Sequence, residues 1–154
     1  MRRGRETLAL LGLTMSVVLL INGWRRMPAV IPMHFKASGV PNGYGPKLEL
    51  LIVEAIGVLV YFVLLAVGQM PQRFNLSAKT DDPDRPRQEK LAMEMVGWLR
   101  LEVAWLFAYL MWAEVEIARH AQTGLGSWVV PTVVAVAIAT SGTFLLRFSR
   151  GGKG

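Results

Sequence analysis

The side chains that could carry chemistry are few and scattered. His34 and His120 are the only histidines and there is no cysteine, so thiol catalysis, disulfides and thiolate-held metals are excluded. Together with Glu49, Glu114 and Glu116, the two histidines offer donors of the kind that bind transition metals. They lie on separate segments, however, without the fixed i, i+4 spacing of a helical ligand pair. The expectation is therefore no metal and no cofactor, with His34 hydrogen-bonded to turn backbone. No nucleophile–base set, paired catalytic acids, phosphate loop or haem motif is present, so no catalytic residue and no enzymatic activity is expected. The distinctive charges are Glu54, Arg100 and Glu102, each set inside an otherwise apolar run.

The elements that must position these charges are membrane spans. Apolar residues make up 53% of the 154-residue chain, the mean hydropathy is +0.37, and the charges fall in the gaps between apolar clumps. That pattern suits a bilayer core, where backbone amides find no water. The expected fold is an all-α integral membrane protein, one polytopic domain over 1–154. Four transmembrane helices are expected, at about 7–23, 48–68, 91–117 and 127–146, each near the ~20 residues that cross a bilayer. A structured Pro/Gly-rich outer loop (24–47) joins the first two, and a cytoplasmic loop (69–90) joins the second and third. Arg2, Arg3 and Arg5 precede the first span, but no small-x-small cleavage pattern follows Leu20, so a retained anchor helix is expected. Asp84 is placed to cap the third helix, with Pro86 in its first turn. A helix from there to Glu116 is roughly 45 Å long at ~1.5 Å per residue, longer than the ~30 Å hydrocarbon core. It must tilt or project into the cytoplasm.

A charge at the bilayer centre costs ~2.5–3.5 kcal/mol on insertion scales, so the buried charges should be paired. Glu54 lies 14 residues before Gly68. The same count from the inner end of the third span, at Leu91, reaches Trp105. Glu102 and Arg100 then sit roughly 4.5 and 7.5 Å below Glu54. An ion pair between Glu54 and Arg100 is expected, either for packing or for ion or proton passage.

Lys and Arg counts orient the spans. Arg2, Arg3, Arg5, Arg73, Lys79, Arg85, Arg87, Lys90, Arg147, Arg150 and Lys153 fall on one side, eleven in all. Arg25, Arg26, Lys36, Lys47 and Arg119 make five on the other. Both termini are thus expected on the cytoplasmic side. Trp24, Trp112 and Trp128 then fall at the outer interface, where indoles prefer to sit. The net charge of +6 lies beside apolar stretches, which points to anionic lipid and topology rather than to nucleic acid.

The outer loop is the most distinctive segment. Its prolines and glycines forbid a regular helix and favour extended pieces with tight turns. Pro41-Asn42-Gly43 reads as a turn, with Gly43 suited to positive φ. Ile31, Met33 and Phe35 alternate with Pro32 and His34 as in a short extended segment with one apolar face. The expected picture is a compact cap folded on the outer surface. Pro28, Ile31, Pro32, His34, Phe35, Gly39, Pro41, Asn42, Tyr44, Gly45 and Lys47 form a pattern that resembles the bacterial membrane domain of unknown function 1648. That domain opens Sdp-type toxin immunity proteins, which protect a cell from its own secreted toxin. The pattern departs from the family at Lys36, where Asn or Asp is usual, and the immunity proteins continue into a further multi-span half. The resemblance implies a membrane domain and, by context, an immunity-like role.

One more pattern lies on the third helix. Glu94, Trp98, Glu102, Trp105, Tyr109, Trp112 and Glu116 recur at spacings of three and four, which is a single helical face. Lipid disfavours its carboxylates, so that face should meet protein, a cavity or a ligand. Three functional readings follow. The first is a binding, sensing or immunity-like module that meets a secreted peptide or membrane partner through the outer loop. The second is an accessory or structural subunit of a larger membrane complex, joined through the third-helix face. The third is a small ion or solute transporter centred on Glu54 and Arg100. Against the third, the first and fourth spans carry no charge and few polar groups in their interiors, among them Thr14, Ser16, Thr140, Ser141 and Thr143, where transporters tend to have broken helices.

Overall fold

A computed structural model describes residues 2–70, 83–119 and 122–150. Arg73, Lys79 and Lys153 of the charge count, and His120 of the metal question, lie outside the described residues. The order is α1 (Arg2–Trp24), β1 (Val30–Phe35), β2 (Pro41–Pro46), α2 (Leu48–Val67), α3 (Arg85–Ala118) and α4 (Val129–Ser149). The chain is mostly helical. The expectation of an all-α fold is corrected by the two antiparallel strands, which form where the Pro/Gly-rich loop was expected.

Three helices, α1, α2 and α4, are long and apolar enough to cross a membrane. α3 has 34 residues and is the axis of the bundle, packing on each of the other three and most extensively on α1. α1 runs parallel to α3, since Arg5, Gly12 and Gly23 lie against Gly97, Ala104 and Val115 in turn. α2 is antiparallel, with Gly57 against Phe107 and Gly68 against Val96. α4 is also antiparallel, with Thr140 bonded to Glu102 and Arg147 to Glu94.

Small residues set the closest approach. Ala9, Gly12, Ser16 and Gly23 are all buried on α1, and Gly97, Ala104 and Ala108 are buried on α3. A Cβ on Gly12 would stand 3.1 Å from the Ala104 backbone, and one on Gly23 would run into the Val115 side chain. Helices in lipid gain little from burying oil against oil, so small residues that admit close contact are the usual glue. The rest of the surface is inverted relative to a soluble protein. Ser16, Glu54, Arg100 and Glu114 are buried, while Ile21, Ile52, Leu59, Phe62, Ile138 and Leu145 are exposed. Apolar outside and polar inside is the construction of a membrane protein.

β1 and β2 pair in the register Val30↔Pro46, Ile31↔Gly45, Pro32↔Tyr44, His34↔Gly43 and Phe35↔Pro41, with irregularities on either side of His34. The turn expected at Pro41-Asn42-Gly43 falls earlier. Lys36 N–H donates to the Val40 carbonyl and Gly39 N–H to the Lys36 carbonyl, and Gly39 has φ +77°. Gly39 takes the left-handed position, and Pro41 opens the following strand, where a missing donor is tolerated. Asp84 does stand at the N-cap of α3 with Pro86 in the first turn, but its side chain makes no cap bond. Its carboxylate lies 3.4 Å from the Arg87 guanidinium instead.

Candidate functional site: a clamped hairpin and a buried polar row

The hairpin is fixed from three directions. Lys47, the residue before α2, extends its Nζ to the carbonyls of Trp24 and Met27 at 3.0 and 3.2 Å and sits 4.9 Å from the Trp24 ring centroid. α1 ends at Trp24, so its last carbonyls lack helical partners, and a cation there satisfies them and complements the helix dipole. Below the strands, Ile31 is fully buried with Met27, Leu50, Met111 and Val115, and Met33 packs against the same cluster. Phe35 joins Ala113, Ile117 and Leu125. Ile31, Met33 and Phe35 therefore do share the inward side. At the turn, Leu125 N–H donates to the Gly39 carbonyl at 2.9 Å. A Cβ on Gly39 would lie 2.7 Å from the Gly126 carbonyl oxygen. The segment before α4 thus holds the hairpin tip, and Tyr109 of α3 holds that segment by donating to the Leu125 carbonyl at 2.6 Å.

The motif residues divide between two tasks. Ile31, Pro32 and Gly39 are buried, while Phe35, Pro41, Gly43, Gly45 and Lys47 are half-buried. Pro28, His34, Asn42 and Tyr44 are exposed. The glycines of β2 serve contact, since a Cβ on Gly43 would stand 3.0 Å from His34 Cβ and one on Gly45 2.8 Å from Glu49 Oε2. His34 was expected to bond turn backbone. It makes no side-chain hydrogen bond among the described residues and lies across Gly43, because the bulge beside it turns its ring over β2. The outward residues of β2, Asn42 and Tyr44, form the free face, with Tyr44 69% exposed.

Beneath the cap the buried charges are partnered differently from the sequence expectation. Glu54 is not paired with Arg100. Its Oε1 lies 2.8 Å from Ser16 Oγ on α1, and its Oε2 is buried with no hydrogen-bond partner among the described residues. Arg100 pairs with Glu6 and rests 5.4 Å from the ring of Tyr61. The cause is an axial offset. The sequence count set Gly68 level with Leu91, but Gly68 packs at Val96, five residues on, roughly 7.5 Å at ~1.5 Å per residue. Arg100 therefore meets α2 at Tyr61, two turns from Glu54.

The stripe on α3 meets α4 through its polar members. Glu94 pairs with Arg147 at 3.3 Å, Glu102 accepts from Thr140, and Tyr109 lies edge-on to Trp128 at 5.3 Å. Glu116 pairs with Arg119 on its own helix at 3.0 Å. Trp98, Trp105 and Trp112 are not covered; they are 41%, 43% and 39% exposed. α1 flanks this row on one side, where Trp105 donates to the Leu8 carbonyl, and α4 flanks it on the other. Glu114, which the sequence offered only as a distant metal donor, is buried with one carboxylate oxygen unpartnered. Sequence reasoning also missed Ser16 and Glu6. The signal for Ser16 was its place on the small-residue face of α1.

The unit formed by the second half of α1, the hairpin and the first half of α2 is the part of the chain that a family model matches. Residues 10–58 match the family model described as a domain of unknown function, DUF1648. Over that stretch the chain is similar to this domain, and every residue of the loop motif lies inside the match. Neither the curated proteins nor the solved structures contain a match to the chain.

Proposed function

We propose that this is a non-enzymatic, four-span protein of the bacterial inner membrane whose hairpin cap recognises a secreted peptide, with an immunity-like role. The carrying observation is the clamped hairpin that leaves Tyr44 69% exposed on strands fixed by Lys47, Ile31 and Gly39. A rigid platform with an exposed aromatic loses little entropy on binding, and tyrosine is a preferred anchor at interfaces. The match to DUF1648 and the resemblance of the loop to the opening domain of Sdp-type immunity proteins support the same reading.

α3 supplies the fourth crossing in this reading. It lies beside α1 from Gly97 to Val115, so it traverses the thickness that α1 does. The excess of Lys and Arg at the far end from the hairpin supports cytoplasmic termini, with the cap outside. The test is protection. Cells expressing the wild-type chain should survive a secreted peptide toxin produced by the source strain, and cells with Tyr44→Ala at equal membrane abundance should not. Equal survival of the two would refute the cap as the recognition surface.

A second reading rests on a separate observation. The exposed row of Trp98, Trp105 and Trp112 offers a surface for a helix of another subunit, which would make the protein an accessory subunit. Mass measurement in mild detergent separates the two, since a monomer without companions excludes a stable complex.

A further inference from the structure

The end of the bundle opposite the hairpin holds a cleft of about 960 Å³. α1 and α2 meet at Ser16 and Glu54 and at Leu13 and Tyr61. Beyond that contact the cleft opens between the start of α1, the end of α2 and the first half of α3. Its wall is apolar, with Leu8 from α1, Leu64 and Leu65 from α2, and Val96 and Leu101 from α3. Among the described residues its charged lining is Arg2, Arg5, Lys90, Arg100 and Arg147 against Glu6 and Glu94.

The two carboxylates do not satisfy these cations. Glu6 is shared between Arg100 and Arg5, the latter at 3.8 Å, and Glu94 is taken by Arg147. Arg100 is 4% exposed, and its Nε is buried without a hydrogen-bond partner among the described residues, as is the Nε of Arg5. Gly97 lets the Arg5 guanidinium lie directly on α3, one turn before Arg100. Arg2 and Lys90 make no ion pair among the described residues. Buried guanidinium donors call for acceptors, and a phosphate supplies several to each.

We propose that this cleft binds one anionic phospholipid, its phosphate among Arg2, Arg5, Lys90 and Arg100 and an acyl chain along the leucine wall. A free phosphate offers the same headgroup chemistry, but it would leave the apolar wall uncovered. Basic pockets between membrane helices are suited to such headgroups. The inference is independent of the cap and of which side of the membrane the cleft faces.

The experiment uses the full chain in mild detergent, offered phosphatidylglycerol or phosphatidylcholine, with retained lipid counted by native mass spectrometry and thermal unfolding followed in parallel. Wild type should retain a single phosphatidylglycerol in preference to phosphatidylcholine. Arg2→Gln with Lys90→Gln breaks no pair seen here, so the fold should persist. The preference should fall roughly 25-fold, at about fivefold per cation, and return in Arg2→Lys with Lys90→Arg. Equal retention of the two lipids, or an unchanged preference in the Gln double variant, overturns the proposal. So does stabilisation by inorganic phosphate equal to that by phosphatidylglycerol.

Discussion

Neutralising Glu6 should destabilise the protein through Arg100, and neutralising Glu54 should not. Arg100 is 4% exposed, and Glu6, its partner, is 37% exposed. An exposed pair contributes ~0–1 kcal/mol, and loss of one member of a buried pair costs ~3–5 kcal/mol. With one buried member and one over a third exposed, a coupling on the order of 1–3 kcal/mol is expected. Glu54→Gln keeps an oxygen for Ser16 and puts an amide NH2 where the unpartnered carboxylate oxygen stands, exchanging one unpaired polar group for another, so it should cost under about 1 kcal/mol. The assay is a pair of double-mutant cycles, Glu6→Gln with Arg100→Met and Glu54→Gln with Arg100→Met. Unfolding free energies would be measured by denaturing-detergent titration. The first cycle should show coupling, and the second should be additive within ~0.5 kcal/mol. Coupling confined to Glu54 and Arg100 would refute the offset between α2 and α3 and restore the pairing expected from sequence.

Reporter fusions after Gly154 and within Thr80 to Pro86 should report cytoplasm, and a fusion near Asn42 should report the outside. An outside signal from the C-terminus would remove α3 as a crossing. Gly39→Ala places a methyl at positive φ, costing ~1–2 kcal/mol, and drives it against Gly126 backbone. The hairpin should then be cut faster by added protease in detergent, and cleavage at the wild-type rate would mean the tip is not held by the segment before α4.

The sequence made some of this legible and hid the rest for definable reasons. The four helices stand within a few residues of the apolar runs, except that α1 begins at Arg2 and α3 at Arg85. The alternation of Ile31, Met33 and Phe35 marked the inward side of β1 because strand periodicity needs no partner to be read. Hydropathy, in contrast, reports how far a helix extends and not where it slides along its neighbour. The five-residue slip of α3 past α2 is set by contacts such as Gly57 against Phe107, which no single helix reveals. The turn was misplaced for a similar reason. Gly43 and Gly39 both suit positive φ, and docking on the segment at Gly124 to Gly126 selects Gly39. Lys47 stood in the motif without a role until the end of α1 was brought within its reach.

The charges that keep α3 from reading as an apolar span are the ones the bundle takes up. Glu94 is met by Arg147 and Glu102 by Thr140, both from α4, and Arg100 by Glu6 from α1. Hydropathy scores each helix as if lipid surrounded it, whereas α3 is touched by the three others and shows lipid little but its tryptophans. A helix so enclosed can cross with charges that would be costly on α4, whose apolar segment is nearly all exposed. This supports α3 as the fourth crossing. It also separates Glu114 from the rest. Every other carboxylate in the apolar part of α3 has a partner, while Glu114 is buried with one oxygen unmet among the described residues. A carboxyl so placed can persist only if the packing of the fold stabilises it by more than its burial costs, and its helix neighbours Met111 and Val115 belong to the cluster that seats Ile31 of the cap.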